Sequence, residues 1–219
     1  MAQYDNAVED VKAPRDRRAR RAAETRVRIV EAAAKLFVER GYAGTTIEAV
    51  AGEADVAVET VYARFKNKRN LLQAFLDTSI VGDTEPVPVL ERPEAKAILD
   101  ATDQREQVRL AAGISRGILE RNAAVQAVIR TAIAVSPELV ALADEDEARR
   151  KATQRAFVEA LSSRGPLRDG MSVADAVETL AGLANPENYA YLVGRRGWTP
   201  ARFQRWLEES LTLLLLPPS

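Results

Sequence analysis

The 219-residue sequence contains no cysteine and no histidine. Without cysteine there are no disulfides and no thiol chemistry, and without either residue most zinc sites and all histidine-dependent triads or general bases are excluded. No nucleophile and base pair and no glycine-rich phosphate loop stands out, so we expect no enzyme, no catalytic residue, no metal and no cofactor. No apolar run approaches the length of a membrane helix, and the N-terminus lacks the apolar core of a signal peptide. These absences favour a cytoplasmic location.

The residues that are present indicate an all-α protein. Hydrophobic residues make up 47% of the chain, which is ample for a packed core. A loop over residues 82–93, with three prolines and a glycine, precedes a region rich in alanine, leucine and valine that lacks the alternation of strands. There the spacing predicts helices near residues 94–100, 103–121, 122–134, 137–163, 172–194 and 200–216. We therefore expect a C-terminal helical bundle.

Charge is divided unevenly along the chain, although the formal net charge is only −1. Residues 11–70 hold 14 basic against 8 acidic residues, and the remainder holds 17 against 24, giving net charges of +6 and −7. This asymmetry indicates that the N-terminal part faces a polyanion. The basic run at residues 15–21 predicts a flexible arm, residues 1–21, that follows DNA phosphates or enters the minor groove. A solvated run that aids solubility is the alternative.

Two short helical patterns joined by a tight break occupy residues 45–65, the layout of a helix-turn-helix DNA reader. Thr45 and Glu48 have the spacing of a capping box, which predicts that the first helix begins there. Asp55 interrupts the pattern and tolerates the left-handed conformation that a tight turn needs. Val56 is expected to fill the angle between the helices. The second helix is predicted over residues 58–65, with Val61 and Phe65 facing inward.

The flanking segments complete a small domain. An amphipathic helix is predicted over residues 24–40, with its stop at Gly41. Asn67 can cap a further helix that opens with Lys68, so that backbone N–H groups and a lysine form a site for a phosphate. The apolar face of that helix continues through Leu71, Leu72, Phe75 and Leu76.

At these residues the sequence resembles the DNA-binding domain of TetR-family transcriptional regulators. The similarity covers roughly residues 22–82 and rests on Lys35-Leu36-Phe37 through Arg40-Gly41-Tyr42, Thr45-Thr46, Ala54-Asp55-Val56-Ala57, Thr60-Val61-Tyr62 with Phe65, and Lys68. The family usually has glycine where Asp55 stands and serine or threonine where Ala57 stands. Here a hydroxyl that caps the reading helix is therefore missing. The resemblance implies a helix-turn-helix domain over residues 22–82 and a helical regulatory and dimerisation domain over residues 83–219.

The resemblance also implies which side chains meet DNA. Thr46, Tyr62 and Lys68 match family positions that commonly touch phosphates. Val58, Glu59, Thr60 and Arg64 stand where base edges are reached. Arg64 is the candidate for guanine, with a phosphate as its alternative partner.

The last predicted helix ends in Leu211 and Leu213–Leu216, which is too apolar around its circumference for a helix with one solvent face. In TetR-like regulators the last two helices pair with those of a second subunit, and this tail resembles that arrangement. Burial within one subunit is the alternative. The acidic run at residues 144–147 is interpreted as a solvated face rather than a metal site, because basic residues lie within reach at i, i+4.

We therefore interpret the chain as a homodimeric, ligand-responsive transcriptional regulator, most simply a repressor, that binds a palindromic operator. No residue pattern identifies the small-molecule effector; Gly113, Gly117, Tyr189 and Tyr191 are interpreted as packing residues rather than cavity residues. A helical protein–protein adaptor is the alternative from another class, favoured by Asp55, Ala57 and the overall acidity.

Overall fold

The computed structural model describes residues 6–83, 87–134 and 136–218, with side chains from Arg17 onward. Within these ranges the chain is built of helices and contains no strand, which confirms the all-α prediction. It divides into two compact units, Met1–Phe75 and Leu76–Ser219. Among the described helices, none combines the length and the apolar character that spanning a bilayer requires.

The first unit contains α1 (Asn6–Gly44), α2 (Ile47–Glu53), α3 (Val58–Phe65) and the first part of α4 (Lys68–Val81). Helix α2 packs against both α1 and α3. The side chains predicted to face inward are buried: Ile29, Ala33, Leu36, Phe37, Val61, Phe65, Leu71 and Leu72. The predicted helical periodicity of this unit is therefore confirmed.

Helix α1 starts much earlier than predicted. It begins at Asn6 rather than near Glu24, so the flexible arm is a wrong prediction for residues 6–21, while residues 1–5 lie outside the described residues. The physical reason is composition, because arginine and alanine have high helix propensity and Arg20 forms an i,i+4 ion pair with Glu24. At the other end, Gly41 has φ 70° and breaks the regular helix where a stop was predicted.

The second unit takes in the end of α4 and the helices that follow. They are a 3₁₀ turn (Val89–Glu91), α5 (Pro93–Asp100), α6 (Gln104–Ala132), α7 (Glu138–Arg164), α8 (Val173–Leu183), α9 (Pro186–Tyr189), a π-helical segment (Ala190–Arg195) and α10 (Pro200–Leu215). Helix α6 packs against α5, α7, α9 and α10, and α7 packs against α8. The long helix α6 is therefore the central element of the bundle.

Two of the predicted helix boundaries are wrong. The helices expected over 103–121 and 122–134 form one helix, α6, because neither glycine nor proline interrupts Arg121-Asn122 and Asn122 is buried on its inner face. The helix expected over 172–194 is broken after α8. There the Asn185 side chain accepts a hydrogen bond from the Asn188 N–H at 2.8 Å and Pro186 opens a new helix.

The apolar end of the chain is covered in large part by its own unit. Leu211, Leu215 and Leu216 join Phe203 and Leu207 in the core between α6, α8 and α10. Leu213 and Leu214 remain 67% and 38% exposed. Burial within one subunit, the alternative from the sequence, thus accounts for three of the five leucines.

Candidate DNA-binding surface and effector cavity

The turn between α2 and α3 is a Schellman motif built around Asp55. The Asp55 N–H donates to Gly52 O at 3.3 Å, and the Val56 N–H donates to Ala51 O at 3.0 Å. Asp55 has φ 51°, the left-handed conformation predicted from the sequence. Aspartate adopts this conformation at a higher free energy than glycine. Both hydrogen bonds of the turn are therefore present, although aspartate takes the position that glycine would occupy at lower free energy.

The cap of α2 is Thr46 rather than Thr45, so the predicted capping box at Thr45 and Glu48 is wrong. The Thr46 side chain accepts from the Ala49 N–H at 3.1 Å. Thr45 is fully buried, and its hydroxyl donates to Leu36 O at 3.0 Å and Gly41 O at 2.8 Å. Thr45 thereby ties the start of α2 to the end of α1.

Helix α3 has one buried face and one open face. Val61 and Phe65 are buried, whereas Glu59, Tyr62 and Arg64 are exposed, with Tyr62 at 46%. Val58 and Thr60 are half-buried on the same short helix. The N-cap residue Ala57 makes no side-chain cap bond, as its lack of a hydroxyl implies. Five of the seven residues predicted to meet DNA thus lie on α3, and the side chains of all five are at least partly accessible.

A cleft of about 300 Å³ lies beside the exposed face of α3. Its lining contains all three predicted phosphate-contacting residues, Thr46, Tyr62 and Lys68, together with Ala43, Thr45, Ile47 and Asn67. The Lys68 Nζ donates to Tyr42 O at 2.9 Å and Thr45 O at 3.0 Å, and it lies 4.3 Å from the centre of the Tyr42 ring. An ammonium has three N–H donors, so one is left for a further partner. Lys68 therefore links the start of α4 to the segment between α1 and α2 through these hydrogen bonds, and its charge lies at the cleft.

Helix α4 starts at this cleft with the predicted cap. The Asn67 Oδ1 accepts from the Asn70 N–H at 2.8 Å. Orphan N–H groups and the positive end of the helix dipole are the features that favour an anion at such a position.

An ion pair between Lys35 and Glu53 holds α2 against α1. The Lys35 Nζ lies 2.6 Å from Glu53 Oε1, and this hydrogen bond raises the pKa of Lys35 above its usual value. The contribution of the pair to stability is therefore present below the unfolded-state pKa of lysine and is lost as pH rises through the folded-state pKa. Neither residue lines the cleft beside α3, so the pair supports the packing of α1 and α2.

The second unit contains a cavity of about 500 Å³ between the end of α4, the 3₁₀ turn and α5 to α8. This volume lies within the range of about 300–1,000 Å³ that drug-sized ligands occupy. Most of the lining is aliphatic, including Ile80, Val89, Ile114, Ile118 and Leu180, and Phe157 supplies its aromatic ring. No sequence pattern predicts this cavity, because its residues come from six separate segments that only the bundle brings together.

The polar part of the cavity comes from α6, α7 and the end of α4. Asp146 is buried, which contradicts the solvated face predicted for residues 144–147, although Asp144, Glu145 and Glu147 are exposed. The Gln126 Nε2 donates to Asp146 Oδ2 at 2.9 Å. No group of acidic residues in the described ranges is arranged to hold a metal ion. Asp146 therefore belongs to the cavity wall.

Of the two tyrosines predicted to be packing residues, Tyr189 is confirmed in that role, whereas the prediction is wrong for Tyr191, which is 49% exposed. Tyr189 is buried in the core of the second unit and lies 5.0 Å from Phe203, ring centre to ring centre. Neither it nor Gly113, Gly117 or Tyr191 is among the residues that line the cavity.

Comparison with known proteins identifies the family of the helix-turn-helix segment. Residues 29–75 match the family model described as bacterial regulatory proteins, tetR family. This segment contains α2, α3 and the Lys68 cleft. The helix-turn-helix is of the TetR type.

The curated relatives that the chain matches are named as HTH-type transcriptional regulators. It is 46% identical over 57 residues to the HTH-type transcriptional regulator TtgR of Pseudomonas putida, which is 26% of this chain and 27% of TtgR. It is 42% identical over 52 residues to the uncharacterized regulator YvkB of Bacillus subtilis, which is 24% of this chain and 28% of YvkB. The chain thus spans little more than a quarter of the curated relatives that it matches. The matched segment is thus shared with proteins that are named as transcriptional regulators.

Solved structures share the fold over most of the chain. The regulator FadR of Bacillus subtilis, in complex with stearoyl-CoA, has 20% identity and a TM-score of 0.67, covering 84% of this chain and 96% of FadR. A transcriptional regulator of Saccharomonospora viridis, in complex with choline, has 20% identity and a TM-score of 0.65, covering 88% of this chain and 97% of that protein. At this identity the likeness shows the fold alone, so the predicted fold class is confirmed and the DNA-contacting residues stay a prediction.

Proposed function

We propose that this chain is a TetR-family transcriptional repressor that binds a palindromic operator as a homodimer and releases it when a small molecule enters the cavity. One observation carries the proposal: the open face of α3 adjoins a cleft lined by Thr46, Tyr62 and Lys68. A short exposed helix with hydroxyl groups and a cation beside it has the chemistry for docking in a major groove against phosphates.

The contacts divide into two groups on this proposal. Thr46, Tyr62 and Lys68 hold phosphates and fix the position of α3 on the duplex. The remaining four predicted residues, Val58, Glu59, Thr60 and Arg64, face base edges. Arg64 is exposed near the end of α3 and has the planar donor pair that matches guanine O6 and N7.

Dimerisation is proposed because one short helix contacts only a few base pairs. Two copies of α3 about 34 Å apart would read the two halves of a palindrome. Leu213 and Leu214 leave an exposed apolar surface on α10, which supports a second copy of the chain as the partner there.

Leu213→Glu should shift the chain to monomers in analytical ultracentrifugation, whereas Val140→Glu, at an exposed apolar position of α7, should not. A monomeric unmodified chain would refute this part.

The effector role of the cavity is supported by its size and by the position of α4. Asp77, Ile80 and Val81 at the C-terminal end of α4 line the cavity, and the same helix begins at Lys68. A ligand that binds one position of this end of α4 better than another shifts the population between operator-bound and free forms. The regulators crystallised with stearoyl-CoA and with choline support small molecules as the class of effector.

Selection of bound fragments from random DNA tests the proposal directly. We expect palindromes with half-sites one helical turn apart. Arg64→Ala should relax base preference at one position of each half-site, by about 1–3 kcal/mol of discrimination. Lys68→Ala should weaken binding to all sequences and lower the salt slope by about 0.9 per phosphate lost. Arg196→Ala, an exposed cation of the second unit, is the matched control and should change neither.

A protein–protein adaptor is the second candidate, favoured by the uncapped N-terminus of α3 at Ala57. Missing cap chemistry weakens a helix terminus by about 0.5–2 kcal/mol. The same selection experiment separates the two functions. Equal retention of all DNA sequences, with no change on Arg64→Ala, would favour the adaptor.

A further inference from the structure

The N-terminal half of α1 carries a positive charge that its own segment does not neutralise. Residues 17–28 contain six arginines and one acidic residue, Glu24, which gives a net charge of +5. All six arginines are exposed. Arg20 pairs with Glu24, and the other five arginines have no carboxylate partner among the side chains that the structure describes. A surplus of this kind suits a polyanionic partner.

The face of α1 that is buried in the helix-turn-helix continues into this segment with different chemistry. Ile29 is the first buried residue of α1 among the described side chains. The positions three, seven and eleven residues before Ile29 lie on the same face of an α-helix, and they hold Arg26, Ala22 and Arg18. Ala22 is half-buried, whereas both arginines are exposed. Beyond the core, the inner face of α1 thus presents guanidinium groups instead of apolar side chains.

Arg26 is held at the C-terminal end of α3. Its guanidinium carbon lies 4.9 Å from the centre of the Phe65 ring, and Phe65 is the last residue of α3, directly after Arg64. A cation–π contact favours one placement of a side chain that is otherwise mobile. Arg26 has no hydrogen-bond partner among the described residues, so its five N–H donors are available to a further partner. A charge run that only aids solubility gains nothing from a cation fixed at this place.

A cation beside the end of α3 suits the DNA backbone rather than a base. Phosphates border the groove that a recognition helix enters, and contacts to them position a protein on the duplex. Arg18 lies eight residues before Arg26, which is about 12 Å along the helix axis. The two guanidinium groups can therefore reach different phosphates.

We infer that the N-terminal half of α1 is a second DNA-contacting element, in which Arg26 and Arg18 bind phosphates beside the base pairs that α3 reads. The inference rests on the proposed function in taking α3 as the helix that enters the groove. Because residues 17–28 are helical, both arginines are held in place before DNA binds. They therefore lose less conformational entropy on binding than the arginines of a flexible arm would.

The salt dependence of binding to an operator fragment selected from random DNA tests this inference on the full chain. Arg26→Met keeps a long side chain over Phe65 and removes the charge. Each lost phosphate contact lowers the slope of log affinity against log salt by about 0.9, which makes about 1.8 for a dimer. Between about 50 and 200 mM salt, the advantage of the unmodified chain over the variant should therefore shrink about tenfold. We expect the same effect for Arg18→Met.

Arg28→Met is the matched control. Arg28 is an exposed arginine of the same helix, two positions and about 200° of helical rotation away from Arg26. It should leave the slope close to that of the unmodified chain. An equal fall for Arg28→Met would show that the arginines act as diffuse charge, and an unchanged slope for Arg26→Met and Arg18→Met would leave them to solvent or to an acidic protein. Either result would overturn the inference.

Three readouts separate a phosphate contact from support of α3 through Phe65. In ethylation interference, Arg26→Met should lose sensitivity at one phosphate of each half-site. Phosphate contacts carry no base information, so Arg26→Met should select the same DNA sequences as the unmodified chain. Arg26→Lys keeps the charge and should restore most of the slope. A changed sequence preference with an unchanged slope would show that Arg26 only positions α3, which would refute the assignment.

Failure of the proposed function has a different signature. In that case Arg64→Ala and Lys68→Ala would also leave DNA binding unchanged. If those two variants behave as proposed while Arg26→Met and Arg18→Met have no effect, α3 reads DNA as proposed and only the role of α1 is wrong.

Discussion

Thr45→Val gives the sharpest test of how the first unit is held together. Valine keeps the shape of threonine, so the substitution leaves no cavity and removes only the hydroxyl. That hydroxyl donates to Leu36 O and Gly41 O in a site from which solvent is excluded. A buried group that loses its partner costs about 1–3 kcal/mol. We therefore expect the free energy of unfolding of this unit to fall by about that amount.

Native-state hydrogen exchange is the appropriate assay, because two units can unfold separately and a single melting curve would mix them. Faster exchange should appear across residues 29–65, including the end of α1. Thr46→Val is the control: it removes the cap bond to Ala49 N, at about 0.5–2 kcal/mol, and should affect chiefly the first turn of α2. A change below about 0.5 kcal/mol for Thr45→Val, or one confined to α2, would refute the assignment of Thr45 to the end of α1.

Three further predictions concern single positions. Asp55→Gly should stabilise the first unit by about 0.5–1 kcal/mol in denaturant titration, since glycine suits φ 51°, and Asp55→Ala should not; a loss of stability for glycine would contradict this. Arg121→Met should speed amide exchange at the end of α4 by removing donors to Ser79 O and Ile80 O, at a cost of about 1 kcal/mol; unchanged exchange would contradict it. Hydrogen bonds from Ser172 lower the pKa of Asp175 below its usual value. The stability that the Asp175 carboxylate contributes is therefore present above the unfolded-state pKa and is lost as pH falls through the folded-state pKa. Asp175→Asn should accordingly lower the free energy of opening of α8, measured by native-state hydrogen exchange, at neutral pH but not at a pH below the folded-state pKa; an equal effect at both would contradict this.

The sequence predicted the fold class and the helix-turn-helix because those features depend on local chemistry. The apolar spacing of Val61 and Phe65 determines which face of α3 is buried, and Asp55 and Asn67 have side chains that suit a turn and a cap. Such preferences act within a few residues and can be read from the chain directly.

Local chemistry gave wrong predictions where neighbouring residues carry the same group. Thr45 and Thr46 both suit an N-cap, and only packing decided that Thr45 turns inward to the end of α1 while Thr46 caps α2. Likewise, nothing in a run of four acidic residues distinguishes Asp146, whose burial follows from the rotation of α7 in the bundle.

The cavity and its polar groups were decided by tertiary structure alone. Asn122 lies in the middle of α6 and Gln154 in the middle of α7, 32 positions apart in the sequence, and no spacing rule connects them. The two residues line one cavity only because the bundle packs α6 and α7 against each other. The sequence by itself thus determined the helical fold class and the helix-turn-helix, because both depend on local chemistry. Long-range packing determined where the second unit has a cavity.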